Sequence, residues 1–574
     1  MLEEHHCARQ RDIVNAIACD DTSREIAVTS LPQAGADAPT TTWPEGRATP
    51  VPVPGSPEER ARFAELQRRL PQLFTRAFLD RHAPQTIVVI PSLTLDLEEL
   101  KKLVGATHYE ERLLCLLMLL RFPRANMVYV TSERLSPAIV DYYLHLLPGV
   151  PPGHALPRLT LLSCNDTSAS TLTAKILTRP SLVDRIRVMI PDPMSAHITC
   201  FNVTPLERSL AVQLGIPIYG CDPDLAHLGT KSGGRETFKR AGVPLPDGHE
   251  HLRDANDIAH ALADLKHRHP GLRRAMIKLN DGFSGEGNAV FTFDGMPIED
   301  IHASTSDTRA RWVQAAMPSH VQFVADTEAW DPFMAKFAAM GGIVEAFVSG
   351  DEIRSPSVQC RIDPLGHATV LATHDQLLGG PSNQVYQGCT FPASQEYCRD
   401  LHTYGLRVAS VLASDGVLSR FAVDFVSVKR GDLWETIAIE INLRKGGTTH
   451  PYLMLQFMTD GTYDCELGVY RTANGQTCCY HATDNLQDPA YVGLTPERLI
   501  DIAVNNDLHF DAATQEGVMF HLIGALEEFG KVGTMSVGRT AAAAEQFFKQ
   551  TVDVLRRETA TPRGRGRGRV ERAD

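Results

Sequence analysis

The stretch FAVDFVSVKRGDLWETIAIEINLRK, residues 421–445, decides the fold. Its two runs rich in β-branched and aromatic residues predict strands over FAVDFVSV and WETIAIEIN. Asp424 lies within the first, among neighbours that are almost all apolar. Glu440 and Asn442 lie in the second, and strand side chains alternate with period two, so both project from one face. Arg444, two residues further, falls on that face again. Two carboxylates and an amide oxygen are hard donors of the kind that hold Mg2+, with substrate phosphates and water completing its shell. Buried acids without a cation would be costly. Arg444 is placed to neutralise a developing acyl phosphate or to hold its oxygens.

Three features upstream extend this reading. Lys231, in LGTKSGGRETFKRAGVPLP, opens a helix that ends at GVP; GxxxxGK[ST] is absent, so this is no P-loop. In AMIKLNDGFSGEG, residues 275–287, Lys278 sits on an apolar strand before a glycine-rich turn. A strand lysine beside Gly282, Ser284, Gly285 and Gly287 suits a phosphate cradle: charge from the lysine, close backbone N–H approach from the glycines. The order GxxGxG, between strands, is not the dinucleotide fingerprint GxGxxG. In IVEAFVSGDEIR, Glu345 ends an apolar strand and Glu352 begins the next. Such a connection offers backbone groups to an adenine edge and a carboxylate to a ribose diol.

Around this core, 574 residues at roughly 150 per domain predict about four units. A hydrophobic content of 43% and a charged content of 22% exclude a wholly disordered or fibrous chain. The formal charge of −13 disfavours nucleic-acid or anionic-membrane binding by the body of the protein. Twelve cysteines are too dilute for a disulfide scaffold, and the only adjacent pair, Cys478 and Cys479, lacks a CxxC partner. The start, MLEEHHCARQ, is no secretory signal, and the apolar run Leu113–Leu120 is far short of the roughly 20 residues a bilayer demands. A cytoplasmic protein with a buried helix at LLCLLMLL is expected.

Seven prolines between Pro32 and Pro57 predict a mobile leader over residues 1–57. SPEERARFAELQRRL predicts an introductory amphipathic helix from Ser56. TIVVIP at 86, MVYVTS at 127, LTLLSC at 159, VMIP at 188 and IPIYG at 216 read as parallel strands of a Rossmann-like α/β domain over 58–222. Residues 223–462 read as an α+β region and 463–557 as a small mixed region ending in the helix AAAAEQFFKQTVDVL. TPRGRGRGRVERAD, within 558–574, predicts a basic disordered tail.

In this order, Lys231, Lys278 with its glycine loop, Glu345/Glu352, Asp424, Glu440, Asn442 and Arg444 resemble the ATP-grasp superfamily of carboxylate-amine ligases. EINLRKGGTTHP is similar to the metal-binding strand of the biotin-carboxylase branch, with Arg444 and His450 at comparable positions. YQGCTFPA at 386, GGTTHPYLMLQFMTDGTYD at 446 and GVMFHLIGALEEFGKVG at 517 resemble the pheganomycin-type peptide ligases, whose core follows a pre-ATP-grasp domain and precedes a characteristic C-terminal domain. The resemblance implies that Lys231 and Lys278 bind ATP phosphates, that Glu345, Ala346, Phe347 and Val348 form the adenine hinge, and that Glu352 binds ribose. It implies that Asp424, Glu440 and Asn442 hold Mg2+, with Mn2+ as the alternative ion. Catalysis would fall to Arg444, Asn442 and Lys278: the γ-phosphoryl group passes to a carboxylate, and an amine then displaces phosphate.

One departure from the family pattern concerns Ala422, which stands where many relatives carry an arginine; Arg420 lies two residues further back, so acyl-phosphate stabilisation rests more on Arg444. The partners expected are a small-molecule or peptide carboxylate and an amine acceptor, with no membrane or nucleic acid; a homo-oligomer is compatible with this reading. The loop His374–Pro392 is the candidate lid. Cys389 reads as a packing thiol, and the HHC at 5–7 and the RGRGRGR run as features without chemistry. The alternatives are an ATP-grasp enzyme with a thiol or phosphoryl acceptor, or a nucleotide-binding scaffold without turnover.

Overall fold

The computed structural model describes residues 51–94, 100, 103–282, 287–295, 304–325, 328–379 and 385–560. The introductory helix is Pro57–Gln67, and Ser56 caps it by accepting from the Glu59 N–H, as the pattern of Ser followed by Pro predicts.

Strands β1 (Gln85–Ile90), β2 (Ala125–Thr131), β3 (Leu159–Ser163) and β4 (Ala196–Cys200) form a parallel sheet in the order β3-β2-β1-β4. Ile87 and Val89 of β1 enter one apolar cluster while Val88 and Ile90 enter another. Both faces are covered, which explains why TIVVI reads as an unbroken apolar run. Two expectations fail here. VMIP is not a strand: Val188 closes the helix Pro180–Val188 and is 71% exposed. The fourth strand is instead AHITC, whose short mixed run gives little periodicity to read. IPIYG contributes only a bridge, Ile198 to Ile218.

The second sheet contains β5 (Gly248–Leu252), β6 (Arg274–Leu279), β7 (Asn288–Thr292), β8 (Val321–Phe323) and β9 (Gly342–Ala346), ordered β5-β9-β6-β7-β8. The glycine loop joins the antiparallel neighbours β6 and β7.

The third sheet comprises β10 (Glu352–Arg354), β11 (Pro356–Ile362), β12 (Ala368–Gly379), β13 (Val385–Phe391), β14 (Ser419–Arg430) and β15 (Leu433–Asn442). A two-stranded ribbon, β16 (Thr462–Asp464) with β17 (Val469–Arg471), stands apart. The third sheet then continues through β18 (Cys479–Gln487), β19 (Gly517–His521) and β20 (Lys531–Gly538). Its order is β10-β14-β11-β12-β13-β18-β20-β19, with β15 on β14. The C-terminal region thus extends the same sheet through the β13–β18 pairing, and the helix Ala541–Ala560 packs on β18 and β20. The candidate lid also proves to be sheet: apart from residues 380–384, which lie outside the described residues, it is the β12–β13 hairpin.

One apolar cluster runs from Ile87 and Val89 through Leu113–Met118 to Tyr452, Tyr480, Val537 and Leu555. LLCLLMLL lies on a 3₁₀ helix, Ala106–Arg121, wedged between the parallel sheet and the third sheet. Burial by both neighbours accounts for its uniform apolarity. Among the described residues, no helix is long and apolar enough to cross a membrane.

Candidate active site

Asp424 and Glu440 stand directly opposite each other across the β14–β15 ladder, and Ala422 stands opposite Asn442. The two carboxylates and the amide therefore share one face, as the alternation predicts. Asn442 Nδ2 donates to Asp424 Oδ2 at 2.9 Å, which turns its amide oxygen away from that contact. Gln376, on β12, donates to Asp424 Oδ1 at 2.9 Å. Burial, reinforced by the Glu440 charge, pushes the Asp424 carboxyl up to about 6. Burial acts on Glu440 in the same upward sense, but Lys231, Lys278 and Arg444 together hold it below its ordinary value. Two part-buried carboxylates facing one another, with the Asn442 amide oxygen on the same face, form a hard-donor set that fits a divalent magnesium-type cation.

Lys231 begins the helix Lys231–Ala241, which Thr230 caps by accepting from the Gly233 N–H. Its Nζ meets Glu440 Oε1 at 2.5 Å. Asn280 fixes this helix start on the strand that carries Lys278: its carbonyl accepts from the Lys231 N–H at 3.0 Å and its Oδ1 from the Ser232 N–H at 3.0 Å. Next to Asn280, the Asp281 carboxyl is pushed up by burial and by Glu440, with Lys231 opposing. Asp281 is thus a third acid at the site, and its only sequence signal is its position in KLNDG. Arg444 lies in the field of both Glu440 and Asp424, and its Nη1 donates to the Lys445 carbonyl at 3.1 Å.

Lys278 is buried on β6, and its Nζ lies 2.5 Å from Glu345 Oε1 on the adjacent β9. Arg235 Nη1 reaches the other oxygen, Oε2, at 3.1 Å. The Glu345 carboxylate is therefore committed to two cations, and only its backbone remains for the hinge. Of the expected hinge donors, the Ala346 and Phe347 N–H groups already bond the Asp247 and Arg274 carbonyls. Glu352 is half-exposed and pairs with Arg354 at 2.6 Å. Of the expected cradle residues, Gly282 and Gly287 are described, Gly287 at φ +77°; Ser284 and Gly285 lie outside the described residues. Breaking one partner of a buried ion pair strands the other. Glu345→Ala, which strands buried Lys278 while Arg235 keeps Glu250 and the Pro246 carbonyl, is expected to lower stability by about 3 kcal/mol, read as a fall in the urea unfolding midpoint.

A second buried network centres on Asp484 of β18. His450 and His521 both direct Nε2 at Asp484 Oδ1, at 3.2 and 2.6 Å, while Arg112 bonds Oδ2. Burial alone would raise the Asp484 carboxyl, but Arg112 and the histidines hold it well below the usual range. Burial, with His521 beside it, pushes the His450 imidazole down to about 4. The three ligand atoms lie within 4.8 Å of one another, and Arg112 supplies the cation that this carboxylate requires. The network ties the 3₁₀ helix to β18, β19 and the helix Thr449–Thr459. Its members are scattered from 112 to 521, so no local pattern announces it. Cys389 is fully buried and burial pushes its thiol up to about 12, which suits packing rather than nucleophilic chemistry. A cavity of about 240 Å3 lined by His108, Glu110, Glu111, Glu133 and Glu527 contains none of the nucleotide set.

Comparison with known proteins decides the family. The chain is 31% identical over 456 residues to the L-propargylglycine–L-glutamate ligase of Streptantibioticus cattleyicolor, covering 78% of this chain and 89% of that enzyme. The chain belongs to the ATP-grasp carboxylate-amine ligases. It is thus an ADP-forming, ATP-dependent enzyme that makes carbon–nitrogen bonds. A family model described as IQCH-like, ATP-grasp, matches residues 223–466, and one described as the PGM1 C-terminal domain matches 498–549. IQ motif-containing protein H of Danio rerio is 22% identical over 531 residues, or 84% of this ligase, which spans about half, 49%, of that protein's length. Among solved structures, a Campylobacter jejuni biotin carboxylase bound to an ATP analogue is 13% identical, with a TM-score of 0.47 over 84% of this ligase and 96% of that chain. A Hydrogenobacter thermophilus biotin carboxylase domain is 14% identical, with a TM-score of 0.47 over 81% and 89%.

Proposed function

We propose that the ligase joins two amino acids, or an amino acid and a peptide, through an acyl phosphate. The observation that carries this reading is the convergence of Lys231, Asp424, Glu440, Asn442 and Arg444 at one face of the third sheet. An oxygen of the donor carboxylate attacks the γ-phosphorus of ATP, the bond to ADP breaks, and an acyl phosphate forms. The amine then attacks the acyl carbon, a C–N bond forms, phosphate leaves, and the amine gives up a proton. Lys231 and Lys278 bind phosphate oxygens, and the connection from Glu345 to Glu352 receives adenine and ribose. Arg444 neutralises charge on the transferring group. Asp424, Glu440 and Asn442 would hold Mg2+, or Mn2+ in its place, and the ion when bound supplies charge neutralisation of the phosphates. The relative that joins L-propargylglycine and L-glutamate supports amino acids as the substrate class.

The test is amine-dependent release of ADP and phosphate from a panel of amino acids. Formation of AMP and pyrophosphate would refute the acyl phosphate, and hydroxylamine in place of the amine should yield a hydroxamate. Removing divalent ions with EDTA is expected to abolish ADP release, and excess Mg2+ to restore it. Full activity in EDTA would exclude the metal role of Asp424 and Glu440.

A further inference from the structure

The face of the third sheet that carries the metal acids continues beyond them. Along β11, Ser357, Gln359 and Arg361 stand opposite Asp424, Ala422 and Arg420 of β14. One row of side chains therefore leads from Asp424 to a pair of arginines four residues away, about 13 Å along the strand. Like charges directly opposite in an antiparallel ladder are destabilising. Among the described residues neither arginine is ion-paired, and Arg361 Nε and Arg420 Nη1 are buried without a hydrogen-bond partner. Burial, with Arg361 beside it, pushes the Arg420 guanidinium down to about 10. Between the arginines and the acids lies Gln359, 2% exposed, with both its amide nitrogen and its amide oxygen unpartnered. Tyr219, whose N–H bonds the Ile198 carbonyl of β4, brings an unpartnered hydroxyl into the field of both arginines.

Buried polar groups are nearly always satisfied, and here four neighbouring side chains share a shortfall of one kind. Two guanidinium groups, a phenol and an amide N–H are donors for an anion. The amide oxygen of Gln359, one step nearer the metal acids, is an acceptor for an N–H. We propose that this row is the acceptor subsite and that the acceptor is an α-amino acid, its free carboxylate on Arg361 and Arg420 and its amine on Gln359, facing the acyl phosphate. The inference rests on the ligase reading above and adds the acceptor's chemistry to it. Forming one amide between two amino acids consumes the donor carboxylate and leaves the acceptor's own carboxylate charged, so the site that buries it must supply cations.

The experiment measures ADP release by the full chain with pairs of L-amino acids, then repeats the active pair with the acceptor's carboxylate replaced by a carboxamide. The amide should lower kcat/KM by at least about 30-fold. In Arg420→Met the acid should fall to the level of the amide, so that the acid-to-amide ratio collapses toward one. Arg361→Met, on the opposite strand, should do the same and serves as the second variant should the first fail to fold. Equal use of acid and amide by the wild type would overturn the proposal. So would an Arg420→Met that slows both alike and keeps the ratio, the mark of a merely structural pair. Discrimination that follows an amide placed on the donor would overturn it in favour of a donor site. Binding of Mg·ADP without ADP release for any amino-acid pair would refute the acceptor class alone, whereas failure to bind Mg·ADP would refute the ligase reading beneath it.

Discussion

Glu440→Gln is expected to lower amine-dependent ADP release by at least about 10³-fold while circular dichroism and the melting profile remain those of a folded chain. The substitution keeps the shape of the side chain and removes one charge from the pair that Asp424 and Glu440 make across the ladder. It has two consequences in the same place. A neutral amide is a much weaker partner for a divalent cation, and Lys231, 2.5 Å from Glu440 Oε1, loses the carboxylate that positions it. Side-chain exposure of Glu440 is 28%, so water covers part of the lost pairing and the fold survives. Activity within tenfold of wild type would remove Glu440 from the metal set.

Arg444→Met is expected to lower kcat by about 10²–10³-fold, with a smaller effect on KM for ATP. The guanidinium lies in the field of Glu440 and Asp424 and is held in a desolvated position, where burial already lowers its proton affinity. Charge in such a place acts most on the group that gains negative charge during transfer, and methionine keeps the apolar stem without the cation. Ala422, opposite Asn442 on the same face, carries no charge that could duplicate it. A rise in KM for ATP with kcat unchanged would show instead that Arg444 binds the ground state uniformly.

The shared face of the expected metal set was legible because it is local. Glu440, Asn442 and Arg444 share a face by the period of the strand alone, and the apolar neighbours of Asp424 in FAVDFVSV mark an acid that is not on an ordinary solvated surface. Lys231 was legible through its helix, bounded by the Thr230 cap and by Gly242 at φ +62°. Lys278 was legible as a strand residue, but its partner was not: Glu345 lies 67 positions on, and only the pairing of β6 with β9 brings the two together. VMIP misled because an apolar tetrapeptide fits the end of an amphipathic helix as well as a short strand, and AHITC was overlooked because five residues with one histidine and one threonine show no clear period. The run His374–Pro392 reads as a loop by its glycines and amides, but most of its described residues lie on β12 and β13.

The sequence by itself determined the strands that carry Asp424 and Glu440, the shared face of Glu440, Asn442 and Arg444, the helix that delivers Lys231 and the family, since each depends on covalent geometry and spacing within a few residues. Only the tertiary structure decided that Arg361 meets Arg420, that Gln359 lies between them and Asp424, and that Arg112, Asp484 and His521 join into one buried network. Strand periodicity sets which way a side chain points, but which strand lies beside it is settled by the burial of whole apolar faces against one another, a property of the assembled sheets rather than of any segment.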